Sequence, residues 1–294
     1  MGDPVLRVQA QLTDRDHLLL GWLADHGVLI SFQIARALFP SIDYAQERLR
    51  KLTALGVLDR FRPQRPDGGS HPYHYVLAQL GVDVVAAQRG EDVPRRDYAR
   101  RRRWHLTQRA NLPHLLGTNG FFTDLAGHAR TQPGCELQRW WSAARCQGMG
   151  AFAQDGDDVH VRAYVASVRP DGHGVWAEHG RAVPFLLEYD TGTERPLSRL
   201  VDKLDGYTHL ARVTGRVWPV LFWLHSAGRE RRLHQLLADR GGYPLVATAT
   251  YDAATAAGSG DPAGAVWWLY RHAGGPLPLA KLADHIPASA AGRR

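Results

Sequence analysis

Cysteine is scarce in this chain, with Cys135 and Cys146 the only two in 294 residues. Two thiols at that spacing make neither a zinc-ligand pattern nor a disulfide framework, which points to a reducing, cytoplasmic setting. Fifteen histidines are present, yet none falls in a His-x3-His arrangement, so they read as scattered core and surface residues. Long apolar runs are missing as well. The longest, Val217 to Leu224, is too short to span a bilayer, and no signal-like apolar segment opens the chain, so no membrane partner is expected. Lysine is nearly absent: Lys51, Lys203 and Lys281 are the only three among 36 basic residues.

What is present is the composition of a globular protein, with 44% hydrophobic and 22% charged residues. A formal charge of +7 suits a polyanionic partner such as nucleic acid. The arginine excess supplies planar forks that bridge phosphates or read guanine. A GC-rich genome would produce the same bias, so composition alone leaves the partner open.

Residues 1–93 read as one domain. Thr13 is an N-cap with Asp16 closing a capping box, and Leu18, Leu19, Trp22 and Leu23 mark a helical face that ends at Gly27. Ser31 opens a second short helix, stopped by Pro40, and Ser41 opens a third. In that third helix Ile42, Ala45, Leu49, Leu52 and Leu55 face inward up to Gly56. Val57 to Arg62 and Tyr73 to Leu77 then read as two strands around a Gly/Pro-rich turn. Three helices followed by a β-hairpin predict a winged helix-turn-helix, and the stretch from Leu49 to Phe61 resembles the junction of third helix and wing. The outer face of the third helix would enter the major groove of double-stranded DNA. Gln46 and Arg50 are the candidates for base edges, and Lys51, Arg60, Arg62 and Arg65 for phosphates. A solvated face on a protein-binding domain is the competing reading.

Residues 94–110 form an arginine-rich connector. Arg100, Arg101, Arg102 and Arg103 stand in a row, with Tyr98 and Trp104 interleaved, and on a helix they would lie along a phosphate backbone.

Residues 111–275 read as a second, α/β domain. A helix from Leu112 to Ala129, interrupted around Gly117 to Gly120, leads into strands at 136–143, 171–176 and 183–189. After these come a helix at 197–213, a buried strand at 217–224, a helix at 230–240 and two late strands. Residues 276–294 are expected to be a tail, disordered from Pro287. Glu188 and Asp190 lie two apart on one strand and so share a face. If Asp171 sits on the neighbouring strand, three carboxylates converge, a donor set for Mg²⁺ or Mn²⁺. Gly192 and Gly206 lack phosphate-loop spacing, and Tyr189 and Tyr207 are explained by packing as well as by any nucleophilic role. Trp140-Trp141 and Trp267-Trp268 read as half core, half surface.

Pro170-Asp171 and Glu188-x-Asp190 resemble the two half-motifs of the PD-(D/E)xK restriction-endonuclease-like superfamily. The winged-helix pattern with Arg169-Pro170-Asp171-Gly172 and an acidic strand end before Gly192-Thr193 resembles the replication-relaxation family of plasmids and integrative elements, some of whose members are likened to C-class mobilisation relaxases. The resemblance implies an α+β protein: a winged helix-turn-helix followed by a restriction-endonuclease-like α/β domain, acting in replication, relaxation or conjugative mobilisation, with metal-dependent DNA nicking as its chemistry. Asp171, Glu188 and Asp190 would bind the metal. The superfamily pattern wants lysine where Asp190 stands, so Lys203 on the following helix becomes the fourth catalytic candidate, with Arg199 a weaker substitute.

If the domain is not catalytic it needs no cofactor. The chain would then be a regulator or accessory factor whose second domain forms a homodimer or recruits replication or conjugation proteins.

Overall fold

The computed structural model describes residues 3–63, 68–240, 243, 245–256 and 261–287. The chain is of mixed α and β structure and divides after Gly127 into two compact units. Among the described residues no helix is long and apolar enough to cross a membrane.

The first unit opens with α1 (Pro4–Gln9) and α2 (Asp14–His26). Thr13 and Asp16 form the capping box of α2, and Gly27 at φ 85° ends it. Then come β1 (Leu29–Ile30), α3 (Ser31–Leu38) and α4 (Ile42–Ala54). Ser31 is the first residue of α3 and not its cap; the N-cap is Ile30, whose N–H donates to Gln33 Oε1 at 3.0 Å. Ala45, Leu49 and Leu52 bury one face of α4. The helix is fixed to α2 by Arg48, which donates to the buried Asp16 carboxylate at 2.9 Å through Nε. Burial pushes the Asp16 carboxyl up, but the Arg48 and Thr13 hydrogen bonds outweigh it and hold the group below its ordinary value.

Strands β2 (Leu58–Phe61) and β3 (His74–Leu77) complete an antiparallel sheet of order β1-β3-β2, with Leu29 opposite Tyr75 and Arg60 opposite Tyr75 from the other side. The helices α5 (Gln79–Arg89), α6 (Tyr98–Thr107) and α7 (Leu112–Thr131) come next.

Two expectations change here. The arginine-rich segment is a packed helix rather than a connector. Leu106 joins Val28, Val76 and Leu112 in one cluster, Arg102 donates to the Ala24 carbonyl at 2.5 Å, and Arg103 pairs with Asp59. Helix α7 runs unbroken through Gly117 to Gly120, because its backbone approaches neighbours closely there and beyond. Asn119 donates to the Val28 carbonyl at 2.7 Å, and a Cβ on Gly127 would stand 2.9 Å from the Arg36 carbonyl oxygen.

The second unit is built on a six-stranded sheet of order β4-β5-β6-β7-β8-β9. Strand β4 (Cys135–Ser142) leads into the short helices α8 (Ala143–Cys146) and α9 (Val159–Ala163). β5 (Gly172–Glu178) and β6 (Arg181–Tyr189) continue the antiparallel part. Helix α10 (Ser198–Thr214) carries the chain to β7 (Val220–Leu224), parallel to β6, and α11 (Ala227–Arg240) carries it to β8 (Val246–Thr250), again parallel. α12 (Tyr251–Ala256) and the short antiparallel β9 (Trp268–Leu269) close the sheet. Every residue of β7 and β8 is buried, as in strands covered on both faces.

The segment expected to be a tail is folded where it is described. Leu279, Ala280 and Leu282 are buried in a 3₁₀ helix at Leu279–His285 that packs on β6. Residues 288–294 lie outside the described residues.

Helix α10 is fitted closely to the sheet. Leu200, Val201, Leu204, Tyr207 and Leu210 recur at helical spacing and are buried against it. At Gly206 the helix comes so close to the loop before β5 that an added Cβ would lie 2.6 Å from Val168 Cβ. Gly206→Ala should therefore cost about 1–3 kcal/mol in urea denaturation, a typical overpacking penalty. Gly228→Ala, where an added methyl meets only an arginine tip at 4.0 Å, should be near neutral.

Candidate functional site

The C-terminal end of β6 delivers a carboxylate into the protein interior. Glu188 is 1% exposed. Its Oε2 accepts a hydrogen bond from Lys203 Nζ at 2.5 Å, and its Oε1 accepts one from the Tyr207 hydroxyl. Lys203 and Tyr207 are one helical turn apart on α10, so both reach the same carboxylate. Asp171 stands on the adjacent strand edge, where its Oδ2 accepts the Tyr189 N–H at 2.8 Å and its own N–H donates to the Leu187 carbonyl at 2.9 Å.

Burial, and then the nearby Asp171 charge, push the Glu188 carboxyl up to about 7, against the pull of Lys203 and Tyr207. For Lys203, burial works against the charge, but Glu188 and Asp171 more than offset it and hold the ammonium above its ordinary value. Burial and the Glu188 charge raise the Tyr207 phenol far above its ordinary value, and its hydroxyl donates to the carboxylate.

Asp190 does not join this group. It lies just beyond β6 and is held by Arg229 of α11 in a two-pronged ion pair, Nε to Oδ2 at 2.5 Å and Nη2 to Oδ1 at 2.8 Å. Its Oδ1 also accepts the Gly192 N–H at 3.1 Å. Among the described residues no group of three His, Cys, Asp or Glu side chains is disposed to hold a metal ion. The expected three-carboxylate set is thus reduced to Asp171 and Glu188, because α11 supplies a guanidinium that takes the third. Arg229 was not foreseen. Its position depends on where α11 begins, and no motif marks it.

A cleft of about 430 Å³ opens beside the pair, lined by Ser167, Val168, Arg169, Arg199, Asp202, Lys203 and Gly206. Lys203 therefore touches a buried carboxylate on one side and open space on the other. Arg199 is exposed at the rim and lies 3.6 Å from Glu194.

In the first unit, the residues expected to touch DNA have distinct settings. Gln46, Arg50 and Lys51 are exposed together on the outer face of α4. The Arg60 and Arg62 guanidiniums both stack on the Tyr73 ring, 4.0 and 3.9 Å from its centroid. Arg65 lies outside the described residues. On α6, Arg100 and Arg101 are exposed, with Arg101 paired to Asp97 at 2.5 Å. Arg102 and Arg103 are occupied by the Ala24 carbonyl and by Asp59, so two of the four arginines in the row tie down the helix. His74 is buried, which lowers its affinity for a proton, and its Nδ1 meets the Pro72 carbonyl at 2.9 Å, a structural role.

One unit presents an exposed polar face on α4, and the other buries a carboxylate–lysine pair at the C-terminal end of an interior strand. The chain belongs to the replication-relaxation family, whose model matches residues 20–221. That span takes in α4, the sheet through β6, and all of α10. Membership points to a role in the replication or relaxation of plasmid or mobile-element DNA. No curated protein and no solved structure matches the chain significantly.

The raised Glu188 value has a stability consequence with a definite sign. The folded state keeps this proton to higher pH than the unfolded chain, so stability is lost as pH rises from about 4.5 through about 7 and the loss is then complete. In Lys203→Met the carboxyl should titrate higher still, and the loss should continue above neutrality. Urea denaturation should find the gap between wild type and variant wider at pH 8.5 than at pH 5.5 by roughly 1 kcal/mol or more. An equal gap at both would contradict the coupling.

Proposed function

We propose that the protein binds double-stranded DNA through its first unit and nicks it with its second, in plasmid replication and relaxation or in conjugative mobilisation. The observation that carries the second half of this reading is the reach of Lys203 from α10 to Glu188, with Asp171 on the neighbouring strand edge and the cleft beside them. It supports a nuclease of PD-(D/E)xK type in which the lysine has moved from the strand, where Asp190 now stands, to the helix behind it.

The order of elements in residues 14–77, three helices and then a hairpin whose strand β3 also pairs with β1, supports a winged helix-turn-helix. On this reading α4 enters the major groove, and Gln46 and Arg50 face base edges. Lys51 and the stacked Arg60 and Arg62 meet phosphates, as do Arg100 and Arg101. The contribution of Arg102 and Arg103 is to hold α6 in place.

On this reading a divalent cation would have to use Asp171 and Glu188 alone. Mg²⁺ commonly takes one or two carboxylates and fills its remaining positions with water and substrate phosphate, and Asp171 and Glu188 would be that pair. Mn²⁺ suits the same oxygens. Such an ion, when bound, polarises a phosphate and acidifies water. Glu188 must be ionised to contribute. Tyr207 orients it from the buried side, acting as a positioning residue. Lys203 offsets the charge of a phosphate in the cleft and stabilises the charge that develops during cleavage.

The competing reading, a non-catalytic regulator or accessory factor, draws on the pairing of Asp190 with Arg229 and of Glu188 with Lys203 and Tyr207. These polar groups are satisfied without any metal.

Supercoiled plasmid carrying the element's own origin region separates the two. Conversion to open circles in Mg²⁺ or Mn²⁺ but not in EDTA, lost by at least 100-fold in Glu188→Ala and Lys203→Met, is the expected result, on the scale of removing one electrostatic stabiliser. Retardation of the plasmid without nicking, unchanged in the variants, would favour the accessory factor. In either case Arg50→Ala should weaken duplex binding by about 1–3 kcal/mol.

A further inference from the structure

Three arginines of the second unit take no part in the carboxylate–lysine pair. Arg139 on β4, Arg145 on α8 and Arg169 before β5 are all exposed, and none has a carboxylate partner among the described residues. By contrast Arg181, Arg216, Arg229 and Arg240 each form an ion pair.

The three are neighbours through the backbone that carries them. Trp141 on β4 lies opposite His173 on β5, and Ser142 lies opposite Gly172. The α8 turn therefore begins beside the start of β5, and the Gln147 side chain ties it to the Ala166 carbonyl at 3.2 Å. The Arg139 and Arg145 guanidiniums both stack on the Trp141 ring, 4.6 and 4.8 Å from its centroid. Trp141 in turn rests on the buried His173 ring at 5.0 Å. Burial drives the His173 proton affinity down to about 3, so that ring stays neutral beneath the arginines. Burial and the Arg145 charge both work against the charge on Arg139, as expected where two cations are held together without an anion. Arg145 and Arg169 both act electrostatically on Cys146, and Arg169 lines the cleft with Arg199 and Lys203.

We infer that Arg139, Arg145 and Arg169 form a second DNA-binding track, which holds the phosphodiester backbone of the DNA flanking the phosphate that occupies the Lys203 cleft. The cleft's part in this rests on the nuclease reading, whereas the track's affinity for a phosphate backbone does not. Charge complementarity identifies the occupant, since three exposed guanidiniums without carboxylate partners on neighbouring elements match a phosphate backbone. Trp141 fixes the guanidiniums of Arg139 and Arg145 by stacking, so the contact is with phosphates and blind to sequence.

The test measures binding of the full-length protein to a labelled duplex, and to a single strand of equal length, across a salt series without metal. The variants are Arg139→Gln with Arg145→Gln, and the triple that adds Arg169→Gln; these side chains are exposed, and thermal melting checks the fold. On at least one of the two DNAs the slope of log K against log salt should fall by about 2 in the double variant and about 3 in the triple. The DNA that responds identifies the strand form held. Unchanged slopes and affinities on both DNAs would overturn the track. Loss of slope in the arginine variants without plasmid nicking by wild type would retain the track and reject the nuclease.

Discussion

The second unit depends on one buried carboxylate. Glu188 is buried at the C-terminal end of the interior strand β6, where a lone charge would be strongly unfavourable. Its two oxygens are each satisfied by a side chain of α10, the lysine from one turn and the tyrosine from the next. That single arrangement docks the helix on β6, sets the depth at which Lys203 emerges, and leaves the Lys203 ammonium lining the cleft. A helix moved by one residue would offer the carboxylate neither partner. The close approach at Gly206 serves the same end, since it lets α10 settle against the loop that carries Arg169 and Asp171.

The first unit uses a parallel device for a different purpose. Asp16 is buried, closes the cap of α2 and receives Arg48 from α4. Removing one partner of such a pair generally costs several kcal/mol, because the other charge is left buried alone. The pair therefore holds the orientation of α4, whose outer face keeps Gln46, Arg50 and Lys51 exposed. In both units an ion pair fixes a helix so that its remaining polar residues face outward.

Much of this was legible in the sequence. The helices of residues 13–55 announced themselves through Thr13, Gly27, Pro40 and Ser41 and through apolar residues at helical spacing. The strands around 171–189 and the helix bearing Lys203 fell within a few residues of their observed limits. What could not be read was tertiary choice. The alternation in Glu188-x-Asp190 correctly described two residues on one strand end, but it carries no information about α11, and so the claim of Arg229 on Asp190 was invisible. The arginine row suggested an open phosphate-binding surface, whereas burial of Leu106 obliges the neighbouring Arg102 and Arg103 to make packing contacts. The glycines of α7 looked like an interruption. In a helix packed this closely they are what permits contact. The tail from 276 looked featureless because a single short 3₁₀ segment has too few apolar residues to form a period.

The nuclease reading turns on Asp171 and Glu188 together forming a divalent-cation site beside Lys203. Calorimetric titration of the full-length protein with Mn²⁺ at pH 8, where Glu188 is ionised, tests it most directly. One ion bound per chain, with the heat abolished in Asp171→Asn, is the predicted result. Binding that persists unchanged in that variant, or no binding by wild type with or without DNA, would contradict it.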